Sequence, residues 1–206
     1  MGRHERPIHK RPMPFPTLRE AIPTKGNRFS RGLGKALLKI MRWDIKGEVP
    51  NLPKFVLIGA PHTSNWDFVL AIVTLIALGI DARWLGKDTL FRPPFGSLMR
   101  WLGGFPVDRS ARHGLVAQTI EAFAQRDRFV VAVAPEGTRK RVERWKTGFY
   151  HVAQGAGVPI VPFYFDYAHK VLGFGPPFEL SGDLEADMKH IRAFYTPFKG
   201  KNLNSL

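Results

Sequence analysis

His62 and Asp67 lie five residues apart in His62-Thr63-Ser64-Asn65-Trp66-Asp67, just after Pro61 and the apolar run Phe55–Ala60. An imidazole and a carboxylate at the exit of a buried strand suit one kind of chemistry. The neutral ring takes a proton from a substrate hydroxyl, and the carboxylate on its other nitrogen fixes the tautomer and stabilises the imidazolium. Five residues turn a regular helix by about 500°, leaving the two side chains roughly 140° apart. His62 is therefore expected in the turn before a helix and Asp67 in its first turn, where a carboxylate also complements the helix dipole. The spacing alone does not decide the matter. With seven His and nine Asp in 206 residues, about 0.3 such pairs arise by chance.

Three further elements carry chemistry. Pro135-Glu136-Gly137-Thr138-Arg139 follows the apolar run Phe129–Ala134 and supplies a flexible turn, a hydroxyl and a planar donor fork suited to phosphate. Gly103-Gly104-Phe105-Pro106-Val107-Asp108-Arg109 reads as a glycine turn and a short strand that ends in an acid and a base. Val158-Pro159-Ile160-Val161-Pro162 is apolar with two prolines; alone it suggests an edge or barrel-like strand, because proline cannot donate to a ladder. Each has a plain reading too: a polar turn, a surface Asp-Arg pair and a structural strand.

Other chemistries fail on inspection. Cysteine is absent, which excludes disulfides, thiolate metal sites and a Cys nucleophile. None of the six serines stands in a Gly-x-Ser-x-Gly elbow. His62 has no second His at zinc-ligand spacing, so no metal is expected. Gly79 to Asp88 matches a phosphate loop only loosely.

These side chains need a scaffold, and 206 residues fit one domain. Strands are expected at Phe55–Ala60, Ala82–Leu85, Phe105–Val107, Phe129–Ala134, Val158–Tyr164 and Val171–Phe174. Helices are expected at Trp66–Leu78, Pro94–Leu102, Ala111–Arg126, Gly148–Ala156 and Leu184–Tyr195. The alternation predicts an α/β fold with a mixed, mostly parallel sheet flanked by helices. Ligands of such sheets gather outside the carboxyl ends of strands, where His62 and Glu136 both fall.

Residues 1–28, basic and proline-rich, read as a disordered arm without the apolar core of a signal peptide, and residues 199–206 as a flexible tail, leaving the domain at 29–198. An amphipathic helix is expected over about 29–43, with Phe29, Leu33, Leu37, Ile40 and Met41 on one stripe and Trp43 closing it. It suits a membrane interface, with Trp43 at headgroup level; the alternative is a helix packed on the domain with a solvated basic side. The longest apolar stretch, Phe68–Ile80, has 13 residues, short of the roughly 20 that span a bilayer. A net charge of +14, of which +8 falls in residues 1–50 (12 basic, 4 acidic), points to an anionic partner. Charge alone allows a nucleic-acid-binding protein, but no binding motif or aromatic stacking ladder supports one.

Taken in order, the four elements resemble the blocks of the glycerolipid acyltransferase family of 1-acyl-sn-glycerol-3-phosphate acyltransferase (PlsC) type: a His-x4-Asp pair, a Gly-rich strand ending in Arg, a Pro-Glu-Gly-Thr-Arg turn and a Val-Pro-Ile-Val-Pro strand. The resemblance covers about Arg42 to Phe178, with Pro106 standing where the second block often has an aromatic. It implies that His62 is the general base and Asp67 its orienting carboxylate. It implies that Arg109, Glu136, Gly137, Thr138 and Arg139 bind the polar head of the acceptor, with Lys87 at a basic position near its phosphate and Lys146 a fainter candidate. The implied reaction moves a fatty acyl group from acyl-CoA or acyl carrier protein, a co-substrate and not a cofactor, to a lysolipid hydroxyl. Lysophosphatidate is the first acceptor expected; a lyso-ornithine lipid or another lysophospholipid is the alternative. The implied place is the cytoplasmic, inner face of an anionic membrane, held peripherally without a transmembrane helix.

Overall fold

The computed structural model describes residues 15–107, 114–139 and 142–202. Strands β1 (Asp44–Lys46), β2 (Lys54–Ala60), β3 (Ala82–Lys87), β4 (Gly104–Val107), β5 (Phe129–Val133), β6 (Ile160–Asp166) and β7 (Val171–Phe174) form one sheet in the order β1-β7-β6-β2-β5-β3-β4. Every neighbouring pair is parallel except β6–β7. Helices α1 (Arg28–Ile40), α2 (Asn65–Leu78), α3 (Gly96–Trp101), α4 (Leu115–Ala124), α5 (Gly148–Ala156) and α6 (Leu184–Tyr195) complete the α/β fold. The mostly parallel, helix-flanked sheet expected from the alternation is what forms.

β2 sits at the centre because it is apolar on both faces. Phe55 and Leu57 pack with Ile22, Leu38, Leu70 and Phe163 on the side of α1 and α2. Val56 and Ile58 pack with Phe123, Phe149 and Ile191 on the side of α4, α5 and α6. Ser64 caps α2 at its start, and Gly79, in the left-handed conformation (φ 78°), ends it. β2 and α2 are thus fixed at both ends of the segment that contains His62.

Several expectations change. β6 is an interior strand and not an edge: Pro162 lies beside Ile58 of β2. Its missing N–H falls on the other side, just beyond the last β6–β7 pair, where only its carbonyl is used, by Gly175 N–H at 3.0 Å. Pro106 is accommodated on β4, which is an edge strand, opposite Gly86. β1, three residues long and paired with β7, has no counterpart in the sequence reading.

The N-terminal arm is not free over its described part. Ile22 is fully buried, Phe15 and Leu18 pack on the same cluster, and Lys25 N–H donates to Gly79 O at 2.9 Å. The apolar residues in the arm anchor it. Residues 199–202 are docked as well: Lys199 O accepts from Tyr167 N–H at 2.8 Å and Gly200 is buried against Thr63. Residues 1–14 and 203–206 lie outside the described residues. Trp43, expected at headgroup level, is 8% exposed and meets the ring of Tyr167 edge-on at 4.9 Å.

α1 packs on α2 through a face other than its apolar stripe. Gly34 and Leu38 are its buried residues, and Gly34 comes so close that a Cβ there would lie 2.6 Å from Ala77 N. Phe29, Leu33, Leu37 and Ile40 stay on the outside, Phe29 80% and Ile40 76% exposed. Phe29, Leu33 and Leu37 line an apolar groove of ≈ 340 Å³ with Ile72, Ile76 and Trp101. Among the described residues no helix is long and apolar enough to cross a membrane. Gly34→Leu should force α1 away from α2 and lower the free energy of unfolding by about 1–3 kcal/mol, read by urea denaturation. An unchanged midpoint would refute the close contact.

Candidate active site

The site lies at the carboxyl edge of the sheet, where β2 ends. His62 stands in the turn between β2 and α2, and Asp67 is the third residue of α2, as the helix geometry required. His62 Nδ1 is 3.2 Å from Asp67 Oδ2, with the imidazole 22% exposed and the carboxylate fully buried. That contact leaves Nε2 as the ring nitrogen for a substrate.

Asp67 has a second task that the sequence reading did not separate out. Its Oδ2 accepts the N–H groups of Thr63 and Ser64, each at 2.7 Å, while Ser64 Oγ accepts from Trp66 N–H at 3.2 Å. Ser64 and Asp67 therefore form a capping box, legible in retrospect from Ser-x-x-Asp before an apolar run. Oδ1 accepts from the hydroxyl of Tyr167, which directly follows β6. Burial, then the Asp67 carboxylate beside it, pushes the Tyr167 phenol well above its usual range, so it stays a donor.

Glu136 belongs to this scaffold and not to an open binding surface. It follows β5, the neighbour of β2, and is only 6% exposed. Both carboxylate oxygens accept from His62 N–H at 3.0 Å. Expected at the acceptor's head, its side chain points inward and holds the turn that carries His62. Burial pushes the Glu136 carboxyl up to about 7; the His62 N–H and ring charge oppose this and Asp67 adds to it.

The rest of the Glu136–Arg139 turn faces outward. Gly137 has φ 66°, a left-handed conformation that favours glycine, and a Cβ there would come within 2.7 Å of Lys146 Cε. Lys146 therefore lies across Gly137, bound through its own N–H to Pro135 O at 2.9 Å. Arg139 Nη1 donates to Asn65 Oδ1 in the first turn of α2, tying the two turns together. Thr138 sits between them, half-buried.

The structure brings together His62, Asp67, Glu136, Gly137, Thr138 and Arg139. Lys87 ends β3, two strands from β2 on the same edge, but its side chain is outside the described residues, as is the whole of Arg109, two residues beyond β4. Tyr167 and Asn65 were missed. Asn65 stood inside the first motif; Tyr167 carried no signal beyond its place after a strand. Thr63 is also more than a spacer: its Oγ1 accepts from Lys201 N–H at 2.9 Å and its carbonyl from Asn202 Nδ2 at 2.7 Å. Among the described residues no cluster of three or more His, Asp or Glu could hold a metal ion.

A family model described as Acyltransferase matches residues 44–166, a span that contains His62, Asp67 and the Glu136–Arg139 turn. The chain belongs to the acyltransferase family. Over 110 residues the chain is 36% identical to the 1-acyl-sn-glycerol-3-phosphate acyltransferase of Escherichia coli (strain K12), covering 50% of this chain and 43% of that protein. The corresponding enzyme of Haemophilus influenzae is 26% identical over 166 residues, 70% of this chain and 67% of its own length. The chain thus spans less than half the length of the first of these relatives. The crystal structure of the 1-acyl-sn-glycerophosphate acyltransferase from Thermotoga maritima matches with a TM-score of 0.60 at 19% identity, covering 82% of this chain and 76% of that one, a likeness of fold.

A carboxyl raised from 4.5 to about 7 on folding binds more protons in the folded state than in the unfolded one. Its contribution is full below about pH 4.5 and is lost as pH rises through 7, on the order of 3 kcal/mol in all. Glu136→Gln should flatten the fall of stability across that window, measured by thermal unfolding from pH 4 to 8. A fall as steep as in the parent protein would show that Glu136 is not its source.

Proposed function

We propose that this acyltransferase moves a fatty acyl group from an acyl thioester, acyl-CoA or acyl carrier protein, to the free hydroxyl of a lysolipid. The first acceptor is 1-acyl-sn-glycerol-3-phosphate, and the product phosphatidate. The observation that carries the reading is the His62 Nδ1–Asp67 Oδ2 contact, a base and its orienter at the mouth of a site built from the family's motifs. The names of the relatives support the choice of acceptor.

In the proposed mechanism the acceptor hydroxyl bonds to His62 Nε2. As its oxygen attacks the thioester carbonyl, the proton passes to Nε2, and Asp67 stabilises the imidazolium. The tetrahedral intermediate collapses by breaking the C–S bond, and the departing thiolate takes the proton back. No enzyme-bound acyl group is needed. The exposed Arg139 and Lys146 supply cationic donors for the acceptor's phosphate; Lys87 and Arg109 are proposed to join them. Binding the phosphate away from the reacting hydroxyl lowers the entropic part of the barrier.

The exposed stripe of α1 gives the reading its setting. Four outward apolar side chains, with Arg31, Lys35 and Lys39 on the same helix, suit an anionic bilayer surface from which a lysolipid is drawn.

His62→Ala should lower acyl transfer by about 10²–10⁴-fold with unchanged unfolding, followed by mass spectrometry of a panel of lysolipids incubated with both donors. Transfer to a lyso-ornithine lipid but not to lysophosphatidate would replace the acceptor; retained turnover would remove His62 as base. Phe29→Ser with Ile40→Ser should weaken flotation with anionic vesicles at least about tenfold, since each loses roughly 1.5–3 kcal/mol of apolar transfer. Undiminished flotation would place the membrane contact elsewhere.

A further inference from the structure

Tyr167 lies outside every motif in the sequence, yet its hydroxyl reaches the catalytic carboxylate. The geometry points to Tyr167 as a positioning residue for the His62–Asp67 pair. It fixes the plane of the Asp67 carboxylate and draws charge onto Oδ1, away from the oxygen that faces the imidazole. This rests on the general-base reading above.

Three observations carry it. First, Asp67 divides its two oxygens: Oδ2 serves the Thr63 and Ser64 N–H groups and His62 Nδ1, while Oδ1 accepts from Tyr167 at 2.5 Å. A carboxylate donor on Oδ1 resists rotation of the group, and a charge-assisted bond there competes with the imidazolium for the same negative charge. Second, Tyr167 is itself held. Its ring meets Trp43 edge-on at 4.9 Å, and its N–H donates to Lys199 O at 2.8 Å. The hydroxyl therefore arrives pre-placed, at little entropic cost. Third, it comes from a different part of the chain, 100 residues beyond Asp67. The N–H donors on Oδ2 belong to the same turn as Asp67 and move with it; the phenol does not, so it ties that turn to the end of β6.

The titratable groups facing His62 are Asp67 from α2 and Glu136 from the turn after β5; Arg139 stands beyond them on Asn65. Removing the phenol oxygen while keeping the ring leaves more of the Asp67 charge on the side of the imidazole. The protonated ring is then favoured, and the base is neutral only at higher pH.

The test is Tyr167→Phe in the full chain. kcat should fall about 10- to 100-fold, as expected when a bond to a charged group is lost, with KM for the acceptor within about twofold. The acidic limb of the kcat/KM profile should move up by about half a pH unit or more. NMR titration of the His62 ring, assigned with His62→Ala, should move the same way, and is repeated in a Glu136→Gln background because Glu136 titrates nearby. A loss of folded protein alone would scale the rate equally at every pH and leave the ring's midpoint in place; that outcome overturns the proposal. Site-specific 3-fluorotyrosine at 167, a stronger donor with the shape nearly kept, should move the limb and the ring midpoint down, and no movement also overturns it. The ring titration needs no substrate. A protein inactive on every lysolipid whose His62 midpoint still follows residue 167 would sink the acyl-transfer reading and leave this one standing.

Discussion

A fully buried carboxylate is the constraint around which this molecule is arranged. Asp67 has no contact with solvent, and an ionised carboxylate away from water costs several kcal/mol unless donors surround it. The donors here come from three directions: the N–H groups of its own turn, the His62 ring and the hydroxyl of Tyr167. Each donor also constrains its owner. Satisfying Asp67 closes the turn after β2, starts α2, orients the imidazole and ties the end of β6 to both. Stability and chemistry draw on the same few bonds, which is why so short a motif specifies so much.

A second carboxylate serves the turn from the opposite side. Glu136 holds the backbone N–H of His62, so the residue is gripped at its main chain by one acid and at its ring by another. The acids come from α2, which follows β2, and from the turn after β5, the parallel neighbour of β2. Two carboxylates this near each other repel, and the rise of the Glu136 carboxyl reflects burial first and that repulsion last. The arrangement keeps a neutral-to-anionic brace behind His62 and leaves the cationic side chains, Arg139 and Lys146, on the outward side.

What could be read from the sequence follows from the range of the forces involved. β2 and α2 announce themselves as apolar runs of strand and helix length, α6 by its amphipathic spacing, and His62 and Asp67 by their separation, because chain geometry alone fixes their relation. The three-residue β1 and the inward turn of Glu136 depend on partners 70 or more residues away, and no local pattern encodes them. Trp43 misled because an aromatic after an amphipathic helix suits either a headgroup region or a core, and the Tyr167 ring decides for the core. Pro159 and Pro162, before and within β6, misled because the rule concerns N–H groups that must pair. At Pro162 the missing donor faces a place where the ladder has already ended.

The contact of residues 199–202 with Thr63 sets an order of events during synthesis. Thr63 adjoins His62, but the N–H groups of Lys201 and Asn202 that meet its hydroxyl are made almost 140 residues later. Tyr167 and its anchor Lys199 also come late. A nascent chain that has released β2, α2 and β5 already holds His62, Asp67 and Glu136, yet the turn lacks its outer supports until residue 202 has cleared the ribosome. The turn that carries His62 is thus among the earlier parts of the domain to be encoded and among the last to become rigid.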